Sequence, residues 1–293
     1  MNIGIIGGGS TGLLLSTYLS RQHSVTIYVR KEDQRIKLMK DGVRLSNYPG
    51  RAYIRALLSE DLQDEDCVII CVKQVSISAI IPLLRKIRKN TPLIFLQNGM
   101  GHLDDIKELY HPIILGVIEH GAMKLEDNLV AHTGKGKINL AAYQGDEAYL
   151  HSLSKKLNHS DFPFDFKENY LRLLKEKLVI NAVINPLTAL FQVTNGEVMR
   201  NRYLHNMAQI ICEEACAVLE MDYATRWARV EYICENTAKN RSSMFKDIMD
   251  SRKTEIEAIS GYIIKKGNGF TIPYTRFLYD SMKAIEIKKG ITD

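Results

Sequence analysis

Short apolar runs alternate with amphipathic stretches through the first half of the chain. The runs predict buried strands, and the stretches between them have the three-to-four-residue apolar spacing of helices. The predicted strands are Asn2–Ile6, Val25–Val29, Cys67–Val72, Leu93–Leu96 and Ile113–Ile118, and the predicted helices are Thr11–Arg21, Lys31–Lys40 and Ser76–Arg88. This alternation is typical of a parallel sheet that is covered on both faces. We therefore predict an α/β fold with a doubly wound sheet.

Two further strand pairs are predicted beside these elements. Val43–Ser46 and Tyr53–Leu57 read as an extended pair. Leu129–His132 and Lys137–Ala142 flank two glycines, and we expect them to form a hairpin at the far edge of the sheet.

The pattern changes from about residue 168, where only helical spacing remains and no strand-like run occurs. The predicted helices are Tyr170–Phe191, Tyr203–Glu220, Thr225–Lys239, Arg252–Lys266 and Tyr274–Lys288. We expect two domains, an α/β domain over residues 1–166 and an all-helical domain over residues 167–293.

Composition narrows the class of protein. The 293 residues are 45% apolar and 25% charged, as in ordinary globular proteins, and the net charge of +5 is spread along the chain. A spread charge does not favour nucleic-acid binding, and no run approaches the ~20 apolar residues that cross a bilayer. The five cysteines form no CxxC pair, so we expect reduced thiols, no metal site and a cytoplasmic protein.

A glycine-rich loop follows the first strand, with the sequence Gly7-Gly8-Gly9-Ser10-Thr11-Gly12. It fits G-x-G-x-x-G between a strand and a helix, the context in which this motif binds the pyrophosphate of a dinucleotide. Gly7 permits the tight turn, Gly9 lets the backbone approach the phosphates, and Gly12 lets the helix pack closely on the strand. The loop predicts a Rossmann-type nucleotide site.

Cations and an amide follow the other predicted strands. Arg30 stands where an NAD site usually has an acid, and a guanidinium suits a 2′-phosphate, so we favour NADP(H). Lys73 follows the strand Cys67–Val72, and Asn98 follows Leu93–Leu96, where both side chains can reach the cofactor. The alternatives are solvated surface cations and a simple Asn-Gly turn.

Lys177, Asn181 and Asn185 recur every four residues on a predicted helix whose other residues are almost all apolar. Three aligned polar groups without a local acid indicate a polar ligand, although a structural network in the core is the alternative. Pro186 is expected to kink this helix beyond the polar residues.

Further polar residues follow in the helical half. Asn195 lies in a turn, and Asn240, Arg241, Ser242 and Ser243 precede a helix, where they either hold a carboxylate or cap the helix. Glu255 is expected on the next helix, where an acid is usually solvated.

Together these segments resemble the ketopantoate reductase (2-dehydropantoate 2-reductase) family, from Asn2 to about Lys288. The resemblance rests on GGGSTG, Arg30, CVK, QNGMG, KLVINAVINPLTAL, TNGE, NRSSM and TEIEAISGY. It implies the NADPH-dependent reduction of 2-dehydropantoate to (R)-pantoate, a step toward pantothenate and coenzyme A.

The resemblance also implies roles for individual residues. Lys177 is the implied general acid, and Glu255 the implied acid that contacts the cofactor side and orients the substrate. Ala122 falls where the family approaches the cofactor. The implied substrate-binding set is Asn98, Asn181, Asn185, Asn195, Asn240 and Ser243.

Two other functions are compatible with the sequence. One is a related NADPH-dependent reductase of another branched 2-oxo acid, and the other is a non-catalytic NADP(H)-sensing protein. Oligomeric state is also open, and a homodimer is compatible with the sequence.

Overall fold

The computed structural model describes residues 1–291 of the protein, which form two compact units. The first unit contains Met1–Gln97 and Asp104–Leu173, and the second contains Asn98–Leu103 and the residues from Leu174 onward. The boundary predicted at residue 166 lies inside a strand of the first unit, Phe164–Lys167. The division at Leu173 instead falls within the long helix that follows this strand.

The strands of the described chain all lie in the first unit. In chain order they are β1 Asn2–Ile6, β2 Ser24–Val29, β3 Val43–Leu45, β4 Arg51–Ala52, β5 Arg55–Leu58, β6 Cys67–Ile70, β7 Leu93–Phe95, β8 Ile113–Ile118, β9 Gly121–Glu126, β10 Leu129–Gly134, β11 Ile138–Gln144 and β12 Phe164–Lys167.

Eight strands form the main sheet, in the order β12-β11-β8-β7-β6-β1-β2-β5. Every neighbouring pair is parallel except β8 with β11. Ile3 of the central strand β1 lies between Val25 of β2 and Cys67 of β6, and Ile3 and Cys67 are fully buried. This burial on both faces explains the continuous apolar runs, since each buried Ile or Leu contributes roughly 1.5–3 kcal/mol.

Four short strands form a second sheet in the order β4-β3-β10-β9. The hairpin predicted from Leu129 to Ala142 is therefore wrong. β10 pairs with β9 in this second sheet, whereas β11 pairs antiparallel with β8 in the main sheet. The extended pair predicted over Val43–Leu57 is also wrong, because β3 pairs with β4 and β10 while β5 pairs with β2.

The helices divide between the two units. In chain order they are α1 Ser10–Leu19, α2 Glu32–Asp41, α3 Ile77–Leu84, α4 Leu103–Ile106, α5 Glu147–Leu157, α6 Tyr170–Phe191, α7 Glu197–Arg200, α8 Arg202–Leu219, α9 Tyr223–Asn236, α10 Ser243–Met249, α11 Tyr262–Lys266 and α12 Pro273–Lys288. A π-helical segment, Glu257–Gly261, leads directly into α11.

The second unit is helical around a buried stretch of α6, in which Leu178, Val179 and Val183 are fully buried. α6 continues through Pro186 to Phe191. Arg226 of α9, itself 8% exposed, forms an ion pair with Glu176 at 3.2 Å and so ties α9 to α6. The predicted fold class, a Rossmann-type doubly wound sheet followed by an all-helical region, is confirmed.

Within residues 1–291, no helix is both long and apolar enough to cross a membrane. The described residues also contain no group of three or more His, Cys, Asp or Glu side chains that could hold a metal ion. The five cysteines are free thiols, and burial raises the pKa of Cys67 and of Cys234 to about 12.

Candidate functional site

The glycine loop joins β1 to α1, and each of three glycines meets a different constraint. A Cβ on Gly12 would lie 1.9 Å from the carbonyl oxygen of Gly7, so α1 approaches the end of β1 as closely as a glycine allows. Gly7 has a φ of +117°, a backbone conformation that disfavours other residues. A Cβ on Gly9 would meet no atom within 4 Å, so this part of the loop faces open space.

The backbone N–H groups of this loop are available to a ligand. Gly9 precedes α1 and no side chain caps the helix. Among residues 1–291, the N–H groups of Gly9, Ser10 and Thr11 have no acceptor, while the first helical bond runs from Leu13 N–H to Gly9 O at 3.0 Å. Free N–H groups at a helix N-terminus suit a phosphate, so the residues present fit a dinucleotide pyrophosphate.

Arg30 and Lys73 follow the strands on either side of β1. Arg30 comes directly after β2, is exposed, and has no ion-pair partner among the residues described. Lys73 lies three residues after β6 and is half-buried. The chain therefore places one cation on each side of the glycine loop, since β2 and β6 both pair with β1. The exposed guanidinium of Arg30 is compatible with a 2′-phosphate.

Ala122 lies in β9 of the second sheet, opposite His132 of β10, and comes four residues after the end of β8. His132 belongs to a hydrogen-bonded chain in which Tyr18 Oη lies 2.9 Å from His132 Nδ1, and His132 Nε2 lies 3.1 Å from His120 Nδ1. Burial, with a smaller contribution from the neighbouring His132, lowers the pKa of His120 to about 4, so this histidine is neutral at pH 7.

In the second unit, Lys177, Asn181 and Asn185 lie on α6 at four-residue intervals. Lys177 is half-buried, whereas Asn181 and Asn185 are 6% and 7% exposed. The amide nitrogen of Asn181 is buried and has no hydrogen-bond partner among residues 1–291. A buried donor without an acceptor costs roughly 1–3 kcal/mol, which a bound ligand with an acceptor atom would remove.

Asn98 and Glu255 come together although they are far apart in sequence. Asn98 Nδ2 donates to Glu255 Oε2 at 2.9 Å. The prediction that Glu255 lies on a helix is wrong, because it immediately precedes the helical turns and its carbonyl oxygen accepts from Ile259 N–H at 3.1 Å. Its carboxylate is therefore held at the start of a helix, where the helix dipole favours negative charge.

A third polar group contains Asn195 and Asn240. Asn195 N–H donates to the carbonyl oxygen of Asn240 at 2.9 Å, and Asn195 Nδ2 donates to Thr237 Oγ1 at 2.8 Å. Asn195 is 8% exposed, and its Oδ1 is buried without a partner among the residues described. This oxygen is a second buried polar atom that is suited to a ligand.

The two serines before α10 have different environments. Ser242 is buried and caps α10, since its Oγ accepts from Phe245 N–H at 3.1 Å and from Thr188 Oγ1 at 2.7 Å. Ser243 is the first helical residue and is exposed. Capping thus belongs to Ser242, and Ser243 keeps a hydroxyl that a ligand can reach.

Gln34 is a contact of the glycine loop that the sequence did not reveal. It lies on α2, is 6% exposed, and its Nε2 donates to the carbonyl oxygen of Gly8 at 2.8 Å. Because α2 is otherwise rich in charge, as in Glu32 and Arg35, its pattern reads as a solvated helix and gives no signal for a buried amide.

Comparisons with known proteins agree with this arrangement. The profile described as "Ketopantoate reductase PanE/ApbA" matches residues 3–145, and the profile described as "Ketopantoate reductase PanE/ApbA C terminal" matches residues 169–286. A 2-dehydropantoate 2-reductase of Bacillus subtilis (strain 168) is 41% identical over 294 residues, which covers 98% of each chain.

Solved structures give the same result. The crystal structure of a probable 2-dehydropantoate 2-reductase from Bacillus subtilis is 40% identical, with a TM-score of 0.87 over 97% of this chain and 100% of that one. The complex of D-mandelate dehydrogenase with NADH is 25% identical, with a TM-score of 0.89 over 98% of this chain and 99% of that one. The chain therefore belongs to the ketopantoate reductase family and is an oxidoreductase.

Proposed function

We propose that the protein reduces 2-dehydropantoate to (R)-pantoate with NADPH, a step toward pantothenate and coenzyme A. Membership of the family supports the reaction, since a relative that is 41% identical over 98% of both chains is named for it. The observation that carries the proposal is the buried, unpartnered amide of Asn181 on the same face of α6 as Lys177. A helix that keeps these groups in an apolar core is suited to hold one small polar molecule.

The first unit supplies the cofactor site in this proposal. The N–H groups of Gly9, Ser10 and Thr11 bind the pyrophosphate, supported by the closely packed turn that Gly7, Gly8 and Gly12 permit. Arg30 binds the 2′-phosphate, which makes NADPH the preferred nucleotide over NADH. Lys73 adds a cation on the other side of the loop. Ala122, in β9 of the second sheet, contacts the cofactor.

The reaction adds a hydride to the carbonyl carbon of the substrate and a proton to its oxygen. The bound cofactor supplies the hydride. The Lys177 ammonium polarises the carbonyl and donates a proton from Nζ as negative charge develops on the oxygen, leaving an alcohol and a neutral amine. The amine is reprotonated from solvent before the next turnover.

Other residues of the second unit bind and orient the substrate. Asn181 and Asn185 donate from the same helix face as Lys177, and Asn98 is oriented by its hydrogen bond to Glu255. Asn195, Asn240 and Ser243 complete the substrate-binding set, and the exposed Ser243 hydroxyl suits the carboxylate that is bonded to the reacting carbonyl carbon. Glu255 fixes Asn98 and contacts the cofactor side.

A substrate panel tests the proposal. The purified protein is mixed with NADPH or NADH and a series of 2-oxo acids, and nicotinamide oxidation is followed by absorbance. We expect 2-dehydropantoate with NADPH to give the highest kcat/KM. NADPH binding without turnover of any 2-oxo acid would indicate a sensing protein and would overturn the proposal.

A second candidate is the reduction of another 2-oxo acid on the same scaffold. The similarity to D-mandelate dehydrogenase, at 25% identity and a TM-score of 0.89, favours including aromatic and other branched acids in the panel. A kcat/KM for one of them at least tenfold above that for 2-dehydropantoate would select this function.

A further inference from the structure

Gln34 of α2 contacts the glycine loop directly. Its Nε2 donates to two carbonyl oxygens, that of Gly8 at 2.8 Å and that of Asp127 at 2.9 Å. Both neighbours are acceptors, so the amide nitrogen must face them. A Cβ on Gly8 would lie 2.6 Å from this nitrogen, which shows that the carboxamide rests against the Gly8 backbone.

The second acceptor belongs to a well-supported turn. Asp127 lies between β9 and β10, and its carboxylate forms an ion pair with Lys124 at 2.7 Å. The next residue, Asn128, is fully buried and donates from Nδ2 to the carbonyl oxygen of Gly42 at 2.8 Å. Gln34 therefore links the glycine loop to a turn that is itself held in place.

The bond to Gly8 determines the direction of a neighbouring N–H group. The peptide that joins Gly8 to Gly9 is planar and trans, so its C=O and N–H point in opposite directions. Holding the Gly8 oxygen toward Gln34 turns the Gly9 N–H away from α2. This N–H has no acceptor among residues 1–291, and a Cβ on Gly9 would meet open space.

We propose that Gln34 is a positioning residue that orients the Gly9 N–H toward the pyrophosphate of the dinucleotide. The inference rests on the proposed function, because it assumes a dinucleotide on this loop. Without the amide, the Gly8–Gly9 peptide is free to rotate, since glycine tolerates both signs of φ. The pyrophosphate then loses an aligned donor, while the 2′-phosphate contact at Arg30 is unaffected.

The test measures nucleotide affinity separately from turnover. Gln34→Glu keeps the size of the side chain but places a carboxylate oxygen, an acceptor, against two carbonyl oxygens. Gln34→Met removes the N–H donors without adding a carboxylate. The Kd for NADPH is measured by nicotinamide fluorescence, and the Kd for adenosine 2′-monophosphate, which lacks the pyrophosphate, is measured by competition. We expect the Kd for NADPH to rise about tenfold in Gln34→Glu and less in Gln34→Met.

Gln144 offers a matched control in the same unit. Its Nε2 also donates to two carbonyl oxygens, those of Leu109 at 2.7 Å and His111 at 3.0 Å, away from the glycine loop. Gln144→Glu and Gln144→Met should lower the thermal midpoint in the way that the Gln34 variants do. Their Kd for NADPH should equal that of the wild type.

The outcomes separate this inference from the proposed function. Weaker NADPH binding with unchanged adenosine 2′-monophosphate binding supports positioning of the pyrophosphate donor. Equal weakening of both ligands, or a lower midpoint with an unchanged NADPH Kd, overturns the positioning role. If Gln34→Glu does not fold, the same comparison is made with Gln34→Met. A wild-type protein that does not bind NADPH contradicts the proposed function itself.

Discussion

The glycine loop of the first unit and helix α6 of the second both leave polar groups without partners within residues 1–291, but with different chemistry. In the loop these groups are backbone N–H donors, available because Gly9 has no side chain over them. In α6 the group is the side-chain amide of Asn181, buried to 6% exposure among apolar neighbours. The site in the loop depends on glycines, which have no side chain. The site in α6 depends on polar residues that recur every four positions.

This difference predicts how each site responds to substitution. A substitution that adds a Cβ to a loop glycine should destabilise the fold or weaken ligand binding. The reason is that each of these glycines either lies close to other atoms or leaves space for a ligand. Substitutions that remove polar side-chain atoms from α6 should lower catalytic activity and leave the packing of the helix intact.

Lys177→Ala should lower kcat by about 10²- to 10⁴-fold, because it removes the proton donor for the developing alkoxide. The measurement is steady-state turnover at saturating NADPH and 2-dehydropantoate. Lys175→Ala is the control, since Lys175 lies on the same helix and its Nζ lies 3.9 Å from Glu220 Oε2, a long ion pair. Equal kcat values for the two variants would show that Lys177 is not the proton donor.

Gly12→Ala should lower the free energy of unfolding by about 3 kcal/mol or more, because its Cβ would lie 1.9 Å from the Gly7 oxygen. Gly9→Ala should cost less than ~1 kcal/mol, since its Cβ meets open space and its φ of −82° suits alanine. Urea unfolding measures both, and NADPH titration should show weaker binding for Gly9→Ala. Equal unfolding free energies would contradict the loop geometry.

Arg30→Ala should raise the KM for NADPH about 10- to 100-fold and change the KM for NADH little, because only NADPH carries the 2′-phosphate. Lys31→Ala is the control, because Lys31 is the next residue, is also an exposed cation, and immediately precedes α2. Parallel changes in both KM values for Arg30→Ala would refute the 2′-phosphate role.

Asn181→Leu should leave the free energy of unfolding unchanged or raise it by up to ~1 kcal/mol, because it removes a buried donor that has no partner. Its kcat/KM should fall about tenfold, the effect of one lost substrate hydrogen bond. Thr188→Val is the contrasting variant, because Thr188 donates to Ser242 at 2.7 Å and its loss should destabilise the protein. A large loss of stability in Asn181→Leu would indicate a structural amide.

Sequence patterns that extend over a few residues, such as apolar runs and helical spacing, predicted much of the fold. The run of apolar residues at Ile3 and Ile5 predicted β1, and the four-residue spacing of Asn181 and Asn185 predicted a buried helix with one polar face. These features depend on neighbours in sequence. The family resemblance added candidate roles for individual residues, and those roles remain predictions.

Pairings between distant segments could not be predicted in the same way. Leu129 and Ile138 both lie in strands, but the partner of each strand is set by packing across the whole unit. The strands β9 and β12 and the helix α5 were missed, although the last four residues of β9 alternate apolar and polar side chains, a pattern that favours a strand. The amide of Gln34 was missed because only the fold places it against Gly8.

The stoichiometry of the reaction with purified protein decides whether the protein reduces 2-dehydropantoate. NADPH consumption and pantoate formation are measured together from 2-dehydropantoate, with chiral analysis of the product. We expect one (R)-pantoate for each NADPH consumed in the wild type, and NADPH binding with turnover lowered about 10²- to 10⁴-fold in Lys177→Ala. Wild-type protein that binds NADPH but forms no pantoate, or a Lys177→Ala variant with full turnover, would contradict this expectation.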